Sequence, residues 1–143
     1  MHSRREALTF DLPASMCFYD AHMSKAANFF KLFADPTRYR ILHLLTLDEC
    51  CVCELVDAVQ TPQYTVSRHL AGLRKGGWVV ERRDGTWIYY RLAPEHAALI
   101  KAVLQIAQAH DLDAQLLTAD AVRLQTRLDM RTAGRCTLGY GIV

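Results

Sequence analysis

A mainly α-helical fold with one β-hairpin is predicted by three observations. Apolar residues recur at helical spacing in successive short stretches. Two of those stretches open on a capping residue followed by proline, Asp35-Pro36 and Thr61-Pro62. Two runs rich in β-branched and aromatic residues, within "WVVERRDGTWIYYRL", flank Asp84-Gly85, a strong hairpin signal. Helix, helix, helix, helix, hairpin and a final helical region is the order of a winged helix-turn-helix.

Each element has its own justification. Residues 1–20 lack periodicity, contain Pro13 and read as an N-terminal arm. Over residues 21–34, Ala26, Phe29, Phe30 and Phe33 mark a first helix. After Asp35-Pro36, Ile41, Leu42 and Leu45 share one face of a second. A third runs from about residue 51 to 59, with Leu55, Val56 and Val59 inward. The fourth follows Thr61-Pro62, buries Val66, Leu70 and Leu73, and ends at Gly76-Gly77. Beyond Pro94, Leu99, Ile100, Val103, Leu104 and Ala107 form an apolar face that resumes through Leu117, Ala121, Leu124 and Leu128. The expected domain is residues 21–130. Residues 131–143, with Gly134, Gly139 and Gly141, read as a mobile C-terminal tail.

Composition narrows the function classes. A chain of 143 residues, about half of them hydrophobic, has the size and core of one domain without disulfide staples. No apolar run is long enough to cross a bilayer, and the charged N-terminus lacks a signal core, so a cytoplasmic protein with no membrane partner is expected. Reduced thiols in that compartment point to metal or redox chemistry. The net charge of +2 is small, yet it is unevenly spread.

The fourth helix carries its polar residues outward, as the reading helix of a helix-turn-helix does. Gln63 and Arg68 suit bidentate contacts to adenine and guanine, and Ser67 suits base edges or phosphate. Tyr64, Thr65 and His69 share that face, and Arg74 and Lys75 lie further along. Arg82, Arg83 and Arg91 on the hairpin would reach flanking phosphates. Double-stranded DNA is the partner this pattern predicts.

The stretch "LDECCVCELVDAVQ" places three of the five cysteines, Cys50, Cys51 and Cys53, within four positions. Thiolates are the soft ligands that trivalent arsenic and antimony prefer, and a pyramidal trivalent centre takes three of them. On a regular helix Cys50 and Cys53 would share a face while Cys51 and Cys53 pointed nearly opposite ways. Either the helix start is unwound or a ligand arrives from elsewhere.

"ECCVCEL" together with "VSRHLAGLRKGGWVVERRDGTWIYYRL" resembles the ArsR/SmtB family of metal- and metalloid-sensing repressors, arsenic-responsive branch, over roughly residues 25–110. The resemblance implies a homodimer that holds operator DNA when ligand-free and releases it when As(III) or Sb(III) binds. Cys51 and Cys53 match the family's ligand positions. Cys50 replaces a leucine, and Val56 stands where some arsenic sensors carry a further cysteine. The third sulfur is therefore expected from Cys17 in the arm, with Cys50 and Cys136 as alternatives. Cd(II), Pb(II) or Zn(II) is the runner-up ligand. Zinc sensors of the family use acidic and histidine ligands on the long C-terminal helix, a pattern that His96, His110, Asp111 and Asp113 do not reproduce. The apolar faces carrying Phe29, Leu99, Val103 and Leu104 are the expected dimer interface.

No enzyme is expected. The Cys-x-x-Cys within residues 50–53 has no strand-first βαβ setting, and no cysteine is followed six residues later by arginine. A thiol-redox repressor would pair cysteines on two helices, and none lies between Cys53 and Cys136.

Overall fold

The computed structural model describes residues 24–143. The elements run α1 (Lys25–Lys31), α2 (Pro36–Leu47), β1 (Cys50–Cys51), α3 (Val52–Val59), α4 (Gln63–Lys75), β2 (Val79–Asp84), β3 (Trp87–Leu92), α5 (Pro94–Ala109) and α6 (Ala114–Asp129). This is the winged helix-turn-helix that the sequence predicts, mainly α with a β-hairpin wing.

The local chemistry explains the boundaries. The Asp35 carboxylate accepts the Arg38 N–H at 2.9 Å, and Pro36 opens α2. Thr61-Pro62 behaves differently from expectation. Pro62 is itself the cap residue, and no side chain caps α4. Gly77 adopts φ 77° and lets Trp78 N–H return to the Leu73 carbonyl at 2.9 Å, ending α4. The wing turns through Gly85 (φ 61°) and Thr86, with Asp84 paired to Trp87.

The final helical region is two helices, not one. Asp111 takes φ 58°, and Leu112 N–H reaches back to the Ala107 carbonyl at 3.0 Å, closing α5. An αL stop built on aspartate instead of glycine leaves little trace in the apolar pattern.

The second departure matters more. Cys50 and Cys51, expected at a helix start, form a short strand antiparallel to β3, with Cys50 opposite Tyr90 and Cys51 opposite Tyr89. The sheet order is β1-β3-β2. Side chains alternate across a sheet, so Cys50 and Tyr90 enter the main core with Leu42, Leu55 and Leu70. Cys51 and Tyr89 face the other side. There they meet Cys136 from the segment after α6 in a small separate cluster. That segment, read from its glycines as a mobile tail, is folded back onto the domain. Cys136 is 3% exposed, and its N–H is held by the Tyr89 hydroxyl at 2.7 Å.

Candidate functional site

The thiol corner forms where β1 becomes α3. Cys51 is the cap residue of α3, and Glu54 sits three residues on. The Glu54 carboxylate accepts the Cys51 N–H at 2.9 Å, and the Cys51 sulfur takes the hydroxyl's place in a capping box. The extended backbone at Cys51 turns its sulfur toward Cys53, resolving the geometric conflict a continuous helix would have imposed. The Cys51 and Cys136 sulfurs lie within 4.8 Å of one another, and Cys53 packs against the same cluster.

These contacts divide the thiols electrically. The hydrogen bond from Cys51 holds the Cys53 thiol below its usual pKa, against the cost of burial. Cys51, donating that bond and buried, is raised. Burial pushes Cys136 up to about 12. Cys53 is thus the first to ionise, and the only half-buried one of the three. Cys50 is fully buried in the main core, donates toward the Asp48 carbonyl at 3.3 Å, and is held well above its usual pKa by burial. It points away from the corner and is not a member of the cluster. Cys17 lies outside the described residues.

Salt bridges from α6 and the tail enclose the corner. Arg131 grips Glu54 through both carboxylate oxygens, at 2.7 and 2.8 Å, and donates to the Glu49 carbonyl at 2.6 Å. Arg127 is 3.4 Å from Asp57, donates to the Leu138 carbonyl at 2.9 Å, and lies 3.6 Å from the Cys136 sulfur. Asp57 in turn accepts the Gly141 and Ile142 N–H groups at 2.5 and 3.2 Å. At the far end of α3, Arg123 and Arg40 donate to the Ala58 and Val59 carbonyls, both at 2.7 Å. Both arginines also pair with Asp120, which is fully buried. One stripe of α6, at positions 120, 123 and 127, together with Arg131 just beyond it, therefore holds α3 from start to finish. Sequence reading missed these residues. The available signal was the arginine repeat at four-residue spacing, which on α6 can mark one face.

The other candidate surface is α4. Gln63, Tyr64 and Arg68 are exposed, Thr65 and Ser67 partly so. Arg68 lies over the Tyr64 ring at 5.9 Å. The uncapped start of α4 leaves N–H groups for an anion. His69 does not join this face. Its side chain is 11% exposed and its Nε2 is 3.3 Å from Asp35. Arg74 pairs with Glu81 across to β2 at 2.9 Å. Arg82 turns away from the wing tip to Glu49 at 2.6 Å and covers the Tyr89 ring. Arg83 and Arg91 remain exposed on the wing.

The expected dimer residues divide. Phe29 and Leu104 are buried inside this single protomer and offer no surface to a partner. Leu99, Ala102 and Ile106 instead stand outward on α5 beside half-buried Val103, which also packs against the core, and Phe30 is 64% exposed on α1. His96 packs on Trp78, with ring centroids 4.6 Å apart, while His110, Asp111 and Asp113 are exposed.

A family model described as bacterial regulatory protein, arsR family, matches residues 35–80, from the cap of α2 into β2. The arsenic resistance transcriptional regulator ArsR1 of Pseudomonas putida is 44% identical over 96 residues, covering 66% of this chain and 73% of that protein. The arsenical resistance operon repressor of Escherichia coli is 43% identical over 79 residues, covering 54% and 68%. Among solved structures, the homodimeric winged helix-turn-helix DNA-binding domain Mb0332 of Mycobacterium bovis, described as a possible ArsR-family transcriptional regulator, superposes with a TM-score of 0.53. It is 32% identical and is matched over 71% of this chain and 90% of that one.

Proposed function

Because the chain belongs to the bacterial arsR family of regulatory proteins, we propose that it is a homodimeric repressor that releases operator DNA when arsenite or antimonite binds its thiols. The observation that carries this reading is the packing of Cys51 and Cys53 into one cluster at the non-helical start of α3. Both sulfurs reach one point, which a regular helix would have forbidden. Soft thiolates select soft centres.

The choice of a neutral metalloid over a divalent cation rests on charge. The acidic groups beside the thiols are already matched, Glu54 by Arg131 and Asp57 by Arg127. Arsenite as As(OH)3 exchanges its hydroxyls for thiols and leaves a neutral product. A divalent cation held by three thiolates leaves a buried net charge, which is costly without a partner. Cadmium or lead is therefore the second reading, and the exposed acidic and histidine residues near the α5–α6 turn do not favour zinc there.

Release follows a population shift. A ligand moves the equilibrium only through its preference for one state. α3 connects directly to α4 through residues 60–62, and its start carries the ligand thiols. Drawing the sulfurs together at that start moves the element on which the reading helix is hung. The dimer would form through the α5 stripe of Leu99, Val103 and Ile106, with Phe30 of α1 beside it, so that a shift in either protomer changes the spacing of the two reading helices. Gln63, Tyr64, Thr65, Ser67 and Arg68 would read the operator, with Arg83 on phosphate.

The test is operator release measured by fluorescence anisotropy with reduced protein, titrated with arsenite, antimonite, cadmium, lead and zinc. Cys51→Ser and Cys53→Ser should each keep DNA binding and lose release by arsenite. Full responsiveness in either variant would sink the reading, and release by cadmium alone would favour the second.

A further inference from the structure

We propose that Cys136, carried by the segment after α6 of the same chain, completes a three-sulfur site with Cys51 and Cys53. The proposal rests on the thiol-sensing reading above and deepens it by naming the third ligand and the element that delivers it.

The placement of Cys136 is built. Beyond α6 the chain turns sharply through Ala133 (φ 52°) and Gly134 (φ 75°), closed by reciprocal backbone bonds between Thr132 and Arg135, both 3.0 Å. The Cys136 N–H is then held by the Tyr89 hydroxyl, and the following carbonyl, of Leu138, by Arg127. Asp57 on α3 takes the N–H groups of residues 141 and 142. Three separate anchors thus fix a segment of little intrinsic structure so that one sulfur meets Cys51. An idle cysteine needs none of them.

The carboxylate beside the sulfurs does not compete for the role. Glu54 has an oxygen within 4.8 Å of the Cys51 and Cys136 sulfurs. Both its oxygens, however, are engaged by Arg131, and one also by the Cys51 N–H. Cys53 has no such commitment, and it packs against the cluster that Cys51 and Cys136 form with Tyr89. Three thiols around one central sulfur position provide the set that a trivalent pyramidal centre takes.

The exchange balances without redox change. As(OH)3 and three thiols give one arsenic bound to three sulfurs and three waters. Each As–O bond is replaced by As–S, and each thiol proton leaves with a hydroxide. No charge is created in a corner whose two ion pairs are already matched.

The experiment is X-ray absorption at the arsenic edge on the full chain loaded with arsenite, with operator release followed in parallel. Wild type should show three sulfur neighbours. The double variant Cys17→Ser/Cys50→Ser leaves no thiol but the three proposed, and it should also show three and respond normally. Cys136→Ser should bind operator, show two sulfurs and one oxygen, and need at least about tenfold more arsenite for half-release. Three sulfurs in Cys136→Ser, or two in the double variant, would overturn the assignment. The double variant leaves the tail intact, so its result stands even if Cys136→Ser folds poorly. Absence of arsenic from wild-type protein would instead defeat the thiol-sensing reading itself.

Discussion

The start of α3 and the outer face of α4 are adjacent in sequence and opposite in construction. At α3 most side chains are buried, Glu54 and Asp57 included, and both carboxylates have partners many residues away along the chain. On α4, Gln63, Tyr64 and Arg68 stand in solvent with mostly local neighbours. The difference teaches how a sensor of the proposed kind would divide its labour. On the proposed function, the face of α4 can change without disturbing the fold, because its energy would be realised only on DNA. The sensing corner cannot, because the groups that position its sulfurs also hold α3, α6 and the C-terminal segment together.

That contrast predicts a hierarchy of mutational effects. The largest belongs to Glu54→Ala. It leaves the Arg131 guanidinium partly buried without its carboxylate and frees the Cys51 N–H, so folding stability should fall by about 3–5 kcal/mol. Guanidinium denaturation followed by circular dichroism measures it. A loss below about 1 kcal/mol would mean the corner is not tied into the fold.

Next comes a pair of neighbours on α5 that face opposite ways. Leu104→Ala should cost about 2–5 kcal/mol of stability, since the side chain is buried within the protomer. Leu99→Asp should leave the fold intact and yield monomers in analytical ultracentrifugation. If Leu104→Ala dissociates a stable dimer and Leu99→Asp does not, the inward and outward faces of α5 have been assigned the wrong way round.

On the reading face, Arg68→Ala should weaken operator binding by about 1–3 kcal/mol and relax preference at one base position. Its denaturation midpoint should be unchanged. A stability loss comparable to that of Glu54→Ala would erase the contrast between the two regions.

What was legible in the sequence follows the same division. The recognition helix and wing were readable because their signals are local: Asp35-Pro36, the 3.6-residue apolar stripe of α4, Asp84-Gly85 between two aromatic runs. The paired cysteines Cys51 and Cys53 were readable for the same reason. The strand at Cys50 and Cys51 was not, because two residues carry no period of their own and become a strand only by pairing with Tyr89 and Tyr90. That pairing sends Cys50 into the core and away from Cys51 and Cys136. The placement of Cys136 was not legible because glycines around it suggest freedom, while the groups that hold its segment, Tyr89, Arg127 and Asp57, lie far away in sequence. His69 was read as polar surface and is drawn off by Asp35. Phe29 and Leu104 belong to apolar stripes whose inward and outward members periodicity does not separate cleanly.

The smallest effect sharpens the comparison, because Asp35 is a polar cap near the reading helix that ought to behave as local structure does. Its carboxylate accepts the Arg38 N–H, and that bond, more than the nearby charges of His69 and Arg38, holds its pKa below the ordinary 3.8 while burial opposes. A depressed folded pKa means the contribution is complete above the unfolded value and is lost as pH falls through the folded one. At pH 7, Asp35→Ala should cost about 1 kcal/mol, the usual worth of a cap. Asp35→Asn should cost little there, since asparagine caps equally well. The carboxylate is partly exposed, so its charge adds little beyond the cap. Below pH 4 the gap between wild type and Asp35→Asn should close, because the protonated acid has lost the one advantage the amide lacked. Denaturation curves at pH 7 and pH 3 measure both. A cost for Asp35→Asn at pH 7 as large as that of Asp35→Ala would show that the pairing with His69, not the cap, dominates, and that the α2–α4 junction is held by charge much as α3 is.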